Sequence, residues 1–401
     1  MKRIAIVNQR YGAEVNGGSE YYTKMLAEHL NKIYEVEVLT TTALDYDTWK
    51  PHYPEGVENI NGVKVRRFPV EKVRSSVRFR LINKLLVSFH FLKKYLEPVW
   101  INEQGPYCPR LISYIRENRV KYDVFIFVTY LYYTTVRGLP EVAEKAILVP
   151  TAHDEYCIYF EIYKNLFLMP KAIAYLTDVE KEFVENQFYN QGIPNVVAGA
   201  GVTAHKKMDE KDKSDLSGDY IVYVGRVDTS KNCDILFEFF MDYKKSDVGG
   251  LKLIVVGKIM MKVPQRDDIV YMGFVDETEK NRIIAGALAL VMPSEYESLS
   301  LSVLEAMAFG VPVIVNGNCA VLKEHCQKSG AGLWFCIQKE FDNCLNQMMK
   351  KDETYETRSM RAKDYVERNY SWDKTIAQYL NLIEERSTCR LEEQDSVRVK
   401  V

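Results

Sequence analysis

The sequence predicts an α/β protein made of two doubly wound parallel sheets. Short apolar runs alternate with amphipathic helical patterns along nearly all of its 401 residues, the signature of strands joined by crossover helices. The composition breaks once, at HKKMDEKDKSDLSGD (205–219), a charged stretch almost free of apolar side chains that reads as a solvated linker. A chain of this length also has the volume for two or three separate cores.

The expected strands of the first half are RIAIV (3–7), EVEVLTT (35–41), VKVRRF (63–68), DVFIFV (123–128), AILVPT (146–151), AIAYLT (172–177) and NVVAGAG (195–201). Those of the second half are YIVYVG (220–225), LKLIVVG (251–257), IVYMGF (269–274), ALVMP (289–293), PVIV (312–315) and GLWF (332–335). Each is a brief aliphatic run bounded by turn or polar residues, as buried parallel strands are. Helical patterns such as SEYYTKMLAEHLNK and CDILFEFFMDYKK fill the gaps, and in DETEKNRIIAGA Asp276 and Glu279 have capping-box spacing. SWDKTIAQYLNLIEE (371–385) adds a terminal helical pattern. The expected organisation is a first domain over 1–202, a linker over 203–218, a second domain over 219–370, a helix over 371–386 and a tail over 387–401. In open parallel sheets ligands sit at the C-terminal ends of the strands, which here places the site in a cleft between the halves.

Composition narrows the function. With 47% hydrophobic and 27% charged residues and a net charge of −2, the chain has no electrostatic reason to bind nucleic acid. No apolar run reaches 18 residues, and the opening MKRIAIVNQRYG reads as a first strand rather than a leader. The cysteines at 108, 157, 233, 319, 326, 336, 344 and 389 form no Cys-x2-Cys pair, which points to reduced thiols in a cytoplasmic protein without structural zinc.

Four segments carry chemistry. In SEYESLSLSVLEAMAFGVPVIV (294–315) a loop enters a helix that Gly310 and Pro312 terminate. Ser298 or Ser300 is placed to cap that helix, whose amide end favours a phosphate. Glu297 lies in the loop and Glu305 inside the helix, so one ligand spans both acids and the helix tip. Two acids on a surface helix are otherwise ordinary. YIVYVGRVDTSKN (220–232) sets Gly225 and Arg226 at a strand end with Lys231 five residues on, a fork and an ammonium suited to a diphosphate; such residues also merely solvate loops. KRIAIVNQRYGAEVNGGSEYYTKMLAEHL (2–30) puts Gly17 and Gly18 where a helix begins, allowing close backbone approach to a ligand. His153, in TAHDE after a strand, is placed to hydrogen-bond a hydroxyl, and Asp154 to orient the loop or to cap the helix after it.

The Glu-x7-Glu pair, with Pro293-Ser294, Glu305-Ala306-Met307-Ala308, Gly310 and Pro312-Val313 around it, resembles the signature of glycosyltransferase family 4, the glycosyl transferases group 1. The resemblance implies a GT-B fold: two Rossmann-like domains facing a central cleft, with the C-terminal helix crossing back to the first domain. It implies a retaining, hexosyltransferase-like and metal-independent enzyme that moves a sugar from a nucleotide diphosphate-sugar to an acceptor hydroxyl in glycan, polysaccharide or glycolipid synthesis. By that resemblance His153 and Glu297 are catalytic. Arg226, Lys231, Gly17, Gly18, Ser298, Leu299 and Ser300 hold the diphosphate. Glu305 takes the ribose, and Phe274 and Val275 the base. No cofactor or metal is implied beyond the donor itself. Partners are that donor and a glycan or lipid-linked acceptor. The chain departs from the family at VVGKIMMKVP (255–264), where relatives have a glycine-rich turn, and at Leu299-Ser300, where relatives have Phe-Gly. Two alternatives stand beside this reading: another GT-B enzyme, such as an epimerase or inverting transferase, and a non-catalytic nucleotide-binding subunit.

Two further stretches have plainer explanations. DYD (45–47) has a metal-binding form but lies far from the donor motifs. Segment 64–94 carries ten Lys or Arg against one acid, Glu71, interleaved with aliphatic residues. It reads first as a solvated helix face and second as a peripheral contact with the inner face of a membrane.

Overall fold

In the computed structural model, residues 1–15, 17–89, 93–202, 216, 218–246 and 249–384 are described. They form two units, residues 1–198 with 375 onward, and residues 199–374. Most of the expected linker and all of the expected tail lie outside the described residues.

In the first unit the chain runs through β1 (Arg3–Val7), α1 (Gly18–Leu30), β2 (Glu35–Thr41), β3 (Gly56–Ile60), β4 (Val63–Phe68), α2 (Ser76–Ser88), α3 (Lys93–Gln104) and α4 (Pro109–Asn118). It continues through β5 (Val124–Val128), α5 (Tyr133–Gly138), β6 (Ala146–Val149), α6 (Glu161–Leu166), β7 (Ala172–Tyr175), α7 (Asp178–Phe188) and β8 (Asn195–Val197). The sheet order is β3-β4-β2-β1-β5-β6-β7-β8. All neighbours are parallel except β3, which pairs antiparallel with β4. Strand β4 was expected with these bounds, but its hairpin partner β3 was not among the expected strands. GVENI is too polar and exposed to show a strand period, yet its turn, Asn61-Gly62 with φ of 50° and 85°, is the residue pair a tight hairpin favours. Strand β8 stops at Val197, short of the expected 201.

The second unit contains β9 (Tyr220–Val224), α8 (Cys233–Ser246), β10 (Lys252–Val256), β11 (Ile269–Gly273), α9 (Glu277–Ala285), β12 (Ala289–Met292) and α10 (Leu301–Ala308). It ends with β13 (Val313–Asn316), α11 (Ala320–Ser329), β14 (Gly332–Phe335), α12 (Gln338–Met349) and α13 (Glu353–Asn369). Its strands are wholly parallel in the order β11-β10-β9-β12-β13-β14. The central strands are mostly apolar and almost entirely buried, as a sheet covered on both faces requires. Asp276 caps α9 by accepting from the Glu279 amide at 2.9 Å.

A last helix, α14 over 372–384, returns the chain from the second unit to the first. Its buried Tyr379 hydroxyl lies 2.8 Å from that of Tyr22 on α1, Thr375 donates to the Ala198 carbonyl at 3.1 Å, and Lys2 donates to the Ile383 carbonyl at 3.0 Å. This is the crossing helix the resemblance implied.

In the second unit the sheet order reverses direction between β9 and β12. Chain leaving such a switch point has neighbours on one side only, which opens a crevice at the strand ends. The backbone there is packed without room for side chains. Gly257 has φ 139°, and a Cβ on it would stand 1.8 Å from the Gly225 carbonyl oxygen. The two turns are stitched by the Gly225 amide to the Val256 carbonyl at 3.0 Å and the Val227 amide to the Lys258 carbonyl at 2.9 Å. Gly257→Ala is expected to destabilise the second unit by about 3 kcal/mol or more, since backbone must move to accommodate it. Urea unfolding measures the loss, and an unchanged midpoint would contradict the packing.

Candidate active site

The two loops that leave the switch point carry the sequence-derived cations and Glu297. After β9 the chain turns at Gly225. Arg226 comes next, its Nε donating to the Asp228 carboxylate and its guanidinium reaching Ser230 Oγ at 2.9 Å. Asp228 caps a short 3-10 turn by accepting from the Lys231 amide at 3.0 Å, which sends the Lys231 side chain across to the second loop. There Lys231 Nζ meets Glu297 Oε1 at 2.7 Å, a contact spanning 66 residues. Both side chains are largely but not fully buried. Pro293 joins the same strand ends, its carbonyl accepting from Asn316 Nδ2 at 2.9 Å and Asn232 Nδ2 at 3.3 Å. Arg226, Lys231 and Glu297 therefore share one edge of the sheet, beside the start of α10.

That start differs in detail from the expectation. Ser300 occupies the position before α10, but its backbone is left-handed at φ 66° and ψ 82° and its hydroxyl makes no capping hydrogen bond. Leu299 turns its side chain into the core, 4% exposed, so only its main chain is available to a ligand. The first amides of α10 have no partner within the helix, as at every helix start. Glu305, in the second turn, pairs with Lys280 of α9 at 2.9 Å, and Lys280 also holds Glu277 at 2.9 Å. Burial raises the Glu305 carboxyl above its ordinary value against the opposing pull of Lys280. At the end of β11, Phe274 is 65% exposed and Val275 is half-buried, so neither is the core residue its apolar character alone suggests.

In the first unit, His153 lies beyond the end of β6 with Nδ1 3.7 Å from Glu155, whose carboxylate accepts from the Tyr130 hydroxyl at 2.7 Å. Asp154 accepts from the Tyr159 hydroxyl at 2.6 Å and so braces the loop rather than capping a helix. Gly17 precedes α1, where a Cβ would stand 2.1 Å from the Glu20 carboxylate. A Cβ on Gly18 would meet nothing within 4 Å, so no protein packing demands that glycine. In DYD, Asp45 accepts from the amide and hydroxyl of Thr48 at 2.6 and 3.0 Å. Burial alone would raise its carboxyl, but these bonds hold it below the ordinary range, the behaviour of a turn cap.

Known proteins resemble this chain in sequence and in fold. The family model for glycosyl transferases group 1 matches residues 204–365, which span both loops. The chain is 23% identical over 412 residues to a probable sucrose-phosphate synthase of Thermosipho melanesiensis, an alignment covering 92% of this chain and 91% of the other. Among solved structures, sucrose-phosphate synthase from Thermosynechococcus elongatus superposes with a TM-score of 0.70 at 15% identity, covering 97% of this chain and all of that one. The Anabaena protein HepE in complex with UDP and glucose gives 0.68 at 12% identity, again over 97% of this chain and 100% of its own. Residues 204–365 are a glycosyl transferases group 1 domain. The fold of the chain is GT-B, two parallel-sheet α/β domains with a returning C-terminal helix.

Sequence reasoning missed several residues that shape the candidate loops of each unit. Asn232, within segment 220–232 but given no role there, and Asn316, outside every motif, tie the strand ends together. His325 of α11, fully buried, contacts the Leu299 carbonyl through Nε2 at 2.8 Å and the Tyr365 hydroxyl through Nδ1 at 3.0 Å; nothing in AVLKEHC signals that role. Arg10 and Glu20 form a buried pair at the start of α1, bonded at 2.9 Å through Nε. The signal there was an Arg after a first strand with a Glu in the next helix.

Burial lowers the His325 imidazole from 6.5 to about 4. A depressed histidine stabilises the fold fully above its unfolded value, and that contribution is lost as pH falls from about 6.5 through about 4. The difference corresponds to about 3 kcal/mol. Urea unfolding at pH 7 and pH 4 is expected to show wild type losing about 3 kcal/mol more than His325→Gln; equal losses would contradict a neutral buried ring.

Proposed function

We propose that the protein is a retaining, metal-independent hexosyltransferase that moves a sugar from a nucleotide diphosphate-sugar to an acceptor hydroxyl. The Lys231–Glu297 pair at the switch point is the observation that carries this reading. A diphosphate placed over the start of α10 meets Lys231 and Arg226 as cations and the first helix amides as donors. Glu297 then stands where sugar hydroxyls attached to that phosphate would lie. Glu305, fixed by Lys280, takes the ribose, and exposed Phe274 with Val275 offers an apolar face to the base. Binding of UDP by the HepE structure supports a nucleoside diphosphate here.

The chemistry comes from charge. As the bond from the anomeric carbon to the phosphate oxygen breaks, negative charge grows on the diphosphate, and the two cations and helix amides stabilise it. The acceptor oxygen forms its bond on the same face, and its proton passes to the departing phosphate oxygen. No carboxylate nucleophile is needed in that route. His153 is proposed as a hydrogen-bonding group to a substrate hydroxyl, and Gly18 as a position kept small for a ligand.

Glu297→Ala is expected to lower kcat/KM by about 100-fold or more while leaving the melting temperature near wild type. NMR of the wild-type product is expected to show the donor's anomeric configuration, in EDTA as well as without it. An inverted anomer, or activity regained only with Mn²⁺, would contradict the mechanism.

A lipid-linked acceptor at the inner face of a membrane is proposed on the strength of α2. Its sequence SVRFRLINKLLVS contains no acid, and it exposes Val77, Leu81 and Val87 beside Arg80 and Lys84. Asn83 of the same helix accepts from the Tyr156 hydroxyl at 3.0 Å, which links it to the turn after His153. No helix among the described residues is long and apolar enough to cross a membrane. Flotation with phosphatidylglycerol-containing vesicles is expected for wild type and is expected to fall about tenfold in Val77→Glu/Leu81→Glu; equal flotation would remove α2 from the interface.

A further inference from the structure

The turn that enters α10 is held from behind by a relay of buried polar groups. Ser300 has φ 66° and ψ 82°. That left-handed backbone suits glycine and is unfavourable for any residue with a Cβ. Its hydroxyl makes no capping bond to offset this. Such a conformation persists only where the surroundings impose it.

The surroundings here are specific. The Leu299 carbonyl can only accept a hydrogen bond, so His325 Nε2, 2.8 Å away, carries the proton. In a neutral imidazole the other nitrogen is then an acceptor, and Nδ1 receives the Tyr365 hydroxyl at 3.0 Å. The Tyr370 hydroxyl lies 3.3 Å from that of Tyr365 and 3.4 Å from Nδ1, which closes the cluster. Complete burial of the ring keeps it neutral and fixes the direction of the relay. Tyr365 belongs to α13, and Ser359 of the same helix donates to the Gly310 carbonyl, just beyond the other end of α10, at 2.5 Å. Helix α10 is therefore held at both ends from one side.

We propose that His325 is a positioning residue for the donor diphosphate: by gripping the Leu299 carbonyl it imposes the left-handed turn at Ser300 and so aims the first amides of α10 at the phosphates. His325 touches no ligand itself, and its role rests on the reading that this helix start receives the diphosphate. The relay accounts for how the chain keeps serine at a position where the backbone asks for glycine. With glycine there, the turn needs no external hold.

Calorimetric titration with UDP and with GDP tests this on wild type, His325→Phe, and His325→Phe/Ser300→Gly. His325→Phe is expected to weaken nucleoside diphosphate binding about 5- to 10-fold, the worth of one buried hydrogen bond. Adding Ser300→Gly is expected to restore affinity to within about 2-fold of wild type, because glycine adopts the turn unaided. A purely packing role for His325 gives no such rescue. Tyr365→Phe, a milder change, runs in parallel in case His325→Phe does not fold. It is expected to weaken binding about 3-fold, again with recovery by Ser300→Gly. Unchanged affinity in the His325 or Tyr365 variants, or a loss that Ser300→Gly does not recover, overturns the proposal. Failure of wild type to bind either nucleotide overturns the donor-site reading and this proposal with it.

Discussion

The ion pair between Lys231 and Glu297 joins two separate loops at one edge of the second unit's sheet. Its side chains are only partly exposed, so the pair gives up hydration for a Coulomb gain that about cancels it, and its net contribution to stability is of the order of 0–1 kcal/mol. A contact of so little structural worth, bridging 66 residues, is better explained by what it presents than by what it holds. It sets a cation and an acid side by side at the edge where β9 and β12 diverge. Parallel strands deliver all their C-terminal ends to one edge, and the reversal of strand order leaves that edge open at this point. Close backbone contact between Gly225 and Gly257 keeps the adjoining turns from filling it.

The two units use a common device. In the second, a strained Ser300 sits against a fully buried His325. In the first, Thr151 has φ 52°, two residues before His153. The amides of Ala152 and Leu176 both donate to the buried carboxylate of Glu180, each at 2.6 Å, which fixes the ends of β6 and β7. Burial pushes that carboxyl up to about 8, opposed by the amide hydrogen bonds. In both cases one buried polar side chain on a neighbouring helix holds a strand-end loop in backbone it would not choose alone. Rigid placement of that kind is what a substrate-binding loop needs, since its groups must be aimed before the ligand arrives.

Much of this was legible in the sequence. The buried parallel strands announced themselves as short aliphatic runs, and the Asp276 cap by its spacing. Glu297, Arg226 and Lys231, which the structure places at one sheet edge, were singled out from ordinary charged residues by a family motif. What stayed hidden depends on contacts distant in sequence. His325 is one histidine in a helix, and its partners Leu299 and Tyr365 lie 26 and 40 residues away. The hairpin β3–β4 was concealed by the polarity of an edge strand, although Asn61-Gly62 marked it. Of the two serines expected to cap α10, Ser300 stands at the cap position with left-handed backbone and makes no capping hydrogen bond. Ile259 and Met260, in the segment that departs from the family's glycine-rich turn, are exposed at the end of β10, on the same sheet edge as Phe274.

The central claim is that a diphosphate docks on the start of α10 between the loops that leave β9 and β12. A crystal structure of the protein with UDP tests it most directly. Phosphate oxygens are expected within hydrogen-bonding distance of the Ser300 or Leu301 amide, with Arg226 and Lys231 both in contact. Ordered UDP whose phosphates lie beyond reach of Lys231 and of the α10 amides would contradict it.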